Sequence, residues 1–151
     1  MARTFAMQVK LDFHYVFDIE QPVGVNCPNE RSDTLLAQYL LAVWLTRMPY
    51  NEQIDSFLKG KVPVTIDGIF GNKTKAYIEA FEMWCNGPGS SRVVVDSKLH
   101  PMNGSGMGTE SGATKKMWLL NQEFYFANGL RGGMPSTPIQ FPMELKYYLY
   151  C

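Results

Sequence analysis

Residues 64–81 read VTIDGIFGNKTKAYIEAF, and the fold follows from how this stretch is parsed. Asp67-Gly68 is a turn pair: an Asp side chain accepts backbone N–H bonds locally, and a Gly takes positive φ at little steric cost. Gly71 allows a second change of direction. A helix is predicted from about Asn72, with Thr74 early enough for its hydroxyl to meet an unsatisfied N–H of the first turn. Ile66, Ile69 and Phe70 before the helix, with Ile78 and Phe81 inside it, can clamp the turn onto a core. By local chemistry the stretch is a helix entry.

Working backwards, Pro22 to Arg31 has loop composition and leads to Ser32, an N-cap type followed by Asp33 in the positive first turn. The spacing predicts a helix over residues 32–48. Its stripe of Leu36, Leu40, Val43 and Arg47 is widened by Leu35, Tyr39, Leu41, Trp44 and Leu45, so it is apolar almost all round and expected to be buried on more than one side. Pro49 ends it. Asn51 is placed to cap a short helix through Ile54, Phe57 and Leu58, with Gly60 as its stop. From Phe5 to Glu20 the odd positions are apolar and the even ones mostly polar, which is the period of a strand. At that length it bends or runs along an extended neighbour.

Working forwards, RVVVD at 92–96 is a short β-rich run, and residues 99–109 are Gly- and Met-rich loop. Ala113, Met117, Leu120, Phe124 and Ala127 predict a further helix, stopped by Asn128-Gly129. Alternation returns at Met143, Leu145, Tyr147 and Leu149, read as a second terminal strand. The expected fold class is α+β and mainly helical: a three-helix core with a small antiparallel sheet from the N- and C-terminal strands. The expected division is an N-terminal strand extension at 1–22, a helical domain at 23–130 and a C-terminal tail at 131–151.

DGIFGNKTKAYIEAF resembles the signature of the peptidoglycan-binding-like domain, a three-helix module whose usual form runs Asp-Gly-x-Phe-Gly-Pro-x-Thr into a helix ending Phe-Gln. The resemblance puts the family's turn on Asp67, Gly68, Phe70 and Gly71, its helix-start Thr on Thr74, and inward-facing positions on Ala76, Ile78 and Phe81. TLLAQYLLAVWL is similar to the family's Leu- and Gln-containing first helix. VVVDSKLHP followed by TKKMWLLNQEF looks like the more degenerate half of expanded members. The chain departs from the pattern at Asn72 for Pro, Tyr77 for a small residue, and Glu82 for Gln. With Tyr and Glu expected on the helix surface, Tyr77 offers a sugar-stacking face, whereas Glu82 repels an acidic stem peptide. The resemblance thus implies ligand-binding residues Asn72, Lys73, Tyr77 and Glu82, over motif residues Asp67, Gly68, Phe70, Gly71, Thr74 and Phe81.

The 151 residues are 46% hydrophobic, sufficient for a core, and carry 14 basic against 14 acidic residues. No global field gathers nucleic acid, and no stretch is apolar enough to span a bilayer. The N-terminus lacks the continuous apolar segment of a signal peptide, and Cys27, Cys85 and Cys151 lack metal-ligand spacing, so cytoplasmic synthesis with reduced thiols is expected. His14 and His100 form no metal motif. Cys85 with His100 as base is weighed against a buried small thiol, which is the better reading. Lys59, Lys61, Lys73 and Lys75 as a modest basic patch are weighed against an ordinary solvated face, which is the better reading. No catalytic residue, metal or cofactor is expected, and the chain is not expected to be an enzyme. Two functions remain: a peptidoglycan-recognition module delivered by a phage or contractile-injection particle, or a structural adaptor of such a particle. In the second, the N-terminal strand pairs between subunits.

Overall fold

The structure, a computed structural model, describes residues 2–9, 12–59, 64–89, 92–103, 109–110, 113–127 and 141–145. Its helices are α1 (Arg31–Arg47), α2 (Glu52–Leu58), α3 (Asn72–Cys85) and α4 (Lys116–Ala127), and a single helical turn spans 143–145. The strands are β1 (Arg3–Val9), β2 (Asp12–Asp18), β3 (Val23–Gly24), β4 (Lys98–Leu99), β5 (Thr109–Glu110) and β6 (Ala113–Thr114). The protein is therefore mixed α+β and mainly helical, as its sequence pattern requires.

Helix α1 is the axis. Every residue from Ser32 to Trp44 is buried, as expected of a helix apolar on all sides, and α3, α4 and β3 pack against it. Its start differs from expectation. Glu30 occupies the N-cap without a side-chain bond; Ser32 Oγ instead accepts the Ala2 N–H, and the Asp33 carboxylate accepts the N–H groups of Glu20 and Gln21. These two polar side chains are turned to the incoming chain, where orphan amides of an irregular connection need acceptors. Asn51 does cap α2, its Oδ1 accepting from the Ile54 N–H at 3.1 Å. The expected stops Gly60 and Asn128-Gly129 lie outside the described residues.

The N-terminal alternation forms two strands rather than one. β1 and β2 pair antiparallel from Arg3↔Asp18 to Val9↔Asp12, two residues apart in sequence. A two-residue connection leaves a period of two intact, so one long strand and a hairpin read alike in sequence. Among the described residues, the partner of β1 is β2, so the N-terminal segment pairs with itself. Residues 143–145 are helical where a strand was expected, and 146–150 lie outside the described residues. The 92–96 run forms no strand; pairing falls just beyond it, β4 against β3. Gly24, at φ +153°, is needed there because a Cβ would stand 2.5 Å from the Ser97 carbonyl.

One hydrophobic cluster joins Val16, Phe17 and Ile19 of the N-terminal segment, the faces of α1, α3 and α4, and Phe141 and Leu145 from the C-terminal end. Phe17 meets Phe124 edge-on at 4.9 Å, and Tyr39 meets Phe141 at 4.9 Å. Asn121 of α4 fastens β2 to the helices: its Oδ1 accepts the Phe17 N–H at 2.8 Å and its Nδ2 donates to the Phe17 carbonyl at 2.8 Å. The carboxylate of buried Asp18 accepts N–H bonds from Met102, Asn103 and Ile19.

Candidate functional site

The loop ahead of α3 is held by two side chains of α1: Arg31, whose Nη1 donates to the Asp67 carbonyl at 2.7 Å, and Gln38. Gln38, 1% exposed, accepts at Oε1 from the N–H groups of Asp67 (3.0 Å) and Gly68 (2.8 Å). Its Nε2 faces Asp67 Oδ1 (3.0 Å), the Ile69 carbonyl (3.1 Å) and Thr74 Oγ1 (3.0 Å) as acceptors. A carboxamide has both donor and acceptor, so it can replace the missing backbone partners on both sides of a turn. Gln38 is the one strongly polar residue in the run LLAQYLLAVWL, a signal that it had a buried partner. Asp67 completes the turn by accepting the Ile69 N–H at 2.9 Å. That bond, with the Gln38 donation and the Arg31 charge adding to it against a smaller desolvation effect, holds the Asp67 carboxyl below its usual range.

The two glycines of the motif differ. Gly68 has φ +72°, and a Cβ there would come within 2.9 Å of Arg31 Cγ and 3.0 Å of Leu35 Cγ, so both its conformation and its fit against α1 require glycine. Gly71 is the N-cap of α3 at φ −151°, extended backbone open to any residue, with nothing within 4 Å of an added Cβ. The second hinge expected at Gly71 is not one. Thr74 is buried with its hydroxyl on Gln38 rather than on a first-turn amide. Phe70 packs on the core, and Phe81 is fully buried, edge-on to Trp44 at 5.1 Å.

Outside this frame lies a depression of about 260 Å³ lined by Gln38, Thr65, Asp67, Ile69 and residues 71–74. Asn72 and Lys73 are exposed on its rim, and Ile69, 66% exposed, gives it an apolar edge. No side chain caps α3 and its first turn has no acidic residue, so the partial positive charge of the helix start faces the depression, which it shares with the Asp67 carboxylate.

The other two expected ligand residues are elsewhere. Tyr77 is 3% exposed and Glu82 1% exposed, so neither is on the helix surface that the sequence reading gave them. Burial raises the Tyr77 phenol above its usual pKa, partly offset by the Val64 backbone. Glu82 belongs to an internal polar cluster: Lys116 Nζ lies 2.6 Å from Glu82 Oε1, 2.6 Å from Asp96 Oδ1 and 2.9 Å from the Val94 carbonyl. Glu82 Oε1 also accepts the Asp96 and Ser97 N–H groups. Burial alone would raise the Asp96 carboxyl, but the hydrogen bonds from Lys116 and His100 outweigh it and hold it below its usual range. The partner that carries Glu82 inside is 34 residues away, which helical period does not reveal.

His100 Nε2 is 3.0 Å from Asp96 Oδ2. Cys85 is 1% exposed and its thiol is pushed well above the usual range by burial, which suppresses the thiolate a nucleophile needs. Among the described residues no group of His, Cys, Asp and Glu could hold a metal ion, and no helix is long and apolar enough to cross a membrane. His14 has no described side chain, and Cys151 lies outside the described residues. The chain matches no protein-family model, no curated protein and no solved structure.

Proposed function

We propose that this protein is a non-catalytic recognition module for peptidoglycan fragments, with its contact surface at the start of α3. The observation that carries the reading is the depression there, rimmed by exposed Asn72 and Lys73 over a helix start that no side chain caps. Stem-peptide carboxylates suit a positive helix end and a lysine, and sugar hydroxyls and N-acetyl groups suit the Asn72 amide. Glu82, whose charge would oppose an acidic ligand at the surface, is withdrawn into the protein against Lys116. Tyr77 is removed as a stacking platform by its own burial. Delivery to the wall by a phage-like or contractile-injection particle belongs to this reading.

Retention on purified, washed sacculi tests it. Wild-type protein is expected to be retained, and Asn72→Ala and Lys73→Glu to be released while their melting temperatures stay at the wild-type value. Wild-type protein washing off, or both variants staying bound, would overturn the reading. A second reading, a structural adaptor of such a particle, is favoured by the exposure of Val94 (46%) and Val95 (72%), a surface for protein contact rather than for sugar.

A further inference from the structure

We propose that Glu144 is a positioning residue for the depression at the start of α3: through Arg31 it latches the Asp67–Gly68 peptide group, so the C-terminal turn sets the shape of the rim. The Asp67 carbonyl and the Gly68 N–H belong to one peptide group, and α1 holds both ends of it. Arg31 Nη1 donates to the carbonyl at 2.7 Å, and Gln38 Oε1 accepts from the N–H at 2.8 Å. A peptide group beside a glycine at positive φ turns at little steric cost, so its orientation depends on these two bonds. Gln38 is buried and bonded at both ends of its amide. Arg31 is the adjustable partner: its side chain is 57% exposed, and a long exposed side chain keeps one rotamer only where something holds it.

Glu144 supplies that hold. Its carboxylate takes the guanidinium edge-on, Oε1 accepting from Nε at 3.0 Å and Oε2 from Nη2 at 3.1 Å, the paired geometry that fixes an arginine's orientation as well as satisfying its charge. Nη1 is then left to the Asp67 carbonyl. Glu144 is itself placed by its neighbours: Phe141 and Leu145 are buried in the core, and the Leu145 N–H closes the turn on the Pro142 carbonyl at 3.0 Å. A recess of about 350 Å³ lies between Ile66 of the loop and Phe141, Pro142 and Met143, so close packing does not clamp the loop to the turn at that point. Asp67 and Ile69, on either side of Gly68, line the depression, and a turned peptide group between them moves its rim. What this does to a ligand rests on the recognition role proposed above; the latch itself does not.

Amide exchange of the full chain, read at low salt and at about 1 M salt, tests the latch. The Asp67 and Gly68 amides are both bonded to Gln38, so their exchange reports opening of the turn. The Ile54 amide, bonded to Asn51 at the start of α2, is the internal reference, because its local opening leaves Arg31 and Glu144 together. Relative to Ile54, Glu144→Gln is expected to speed exchange at Asp67 and Gly68 about two- to fivefold at low salt, the range of an exposed charge pair. At high salt, where such a pair is screened, the difference between variant and wild type is expected to close. Equal rates in the two proteins at low salt, a difference that persists undiminished at high salt, or acceleration of the same size at Ile54 would each overturn the latch. Wild-type protein that washes off sacculi while showing the expected exchange pattern removes the recognition role and leaves the latch standing.

Discussion

Gln38 and Gly68 are the two residues on which the approach to α3 depends. Gln38→Ala removes the acceptor of two amides and the donor to three oxygens; stranding buried polar groups costs about 1–3 kcal/mol each. Chemical denaturation of Gln38→Ala is expected to show a loss of about 2–3 kcal/mol. Gly68→Ala is expected to lose about 1–2 kcal/mol from its positive φ, with the contact on Leu35 adding to that. Gly71→Ser is expected to be neutral or stabilising by a few tenths of a kcal/mol, because Ser supplies the missing cap. A Gly71→Ser variant as damaged as Gly68→Ala would show that both glycines are hinges. The low pKa of Asp67 and Asp96 fixes a sign for pH: a carboxyl depressed on folding contributes stability above its unfolded pKa and loses it as pH falls through the folded one. Melting temperature is therefore expected to drop below about pH 4, and Asp67→Asn to shallow that drop.

At the scale of elements, the joints between α3, α4 and β2 are polar. Lys116→Met leaves Glu82 buried without its cation, at an expected cost of about 3–5 kcal/mol, whereas Glu82→Gln keeps an acceptor for the Asp96 and Ser97 amides and is expected to cost less. A smaller loss in Lys116→Met than in Glu82→Gln, measured by urea midpoints, would contradict this account of the cluster. The same joints show where sequence is silent. The starts of α2 and α3 follow from Asn51 and Asp67-Gly68, whose chemistry is local. Tyr77 and Glu82 do not follow: Glu82 looks like a surface residue until Lys116 of α4 and the amides of Asp96 and Ser97 meet it, and Tyr77 until the chain at Val64 comes against it. The hairpin was hidden by its own regularity: Lys10-Leu11 carries no turn signal, and the alternation runs through it. Gln38 was visible only as a polar residue in an apolar run.

At the scale of the whole molecule, the N-terminal segment is part of the core rather than an appendage. Val16, Phe17 and Ile19 lie in the main cluster, and Asn121 and Asp18 tie that segment to α4 and to the 102–103 loop. Removing residues 1–20 is expected to lower stability by several kcal/mol from lost apolar burial, seen as loss of the cooperative unfolding transition in the monomer. The recognition role proposed for this body rests on the rim of the loop before α3, with the glycine turn and Gln38 as its support. Titrating isotope-labelled protein with a soluble muropeptide and following backbone amide shifts examines that claim at its own atoms. Perturbations centred on Ile69 and residues 71–74 are expected; unperturbed amides at saturating ligand, or shifts centred on another face, would contradict it.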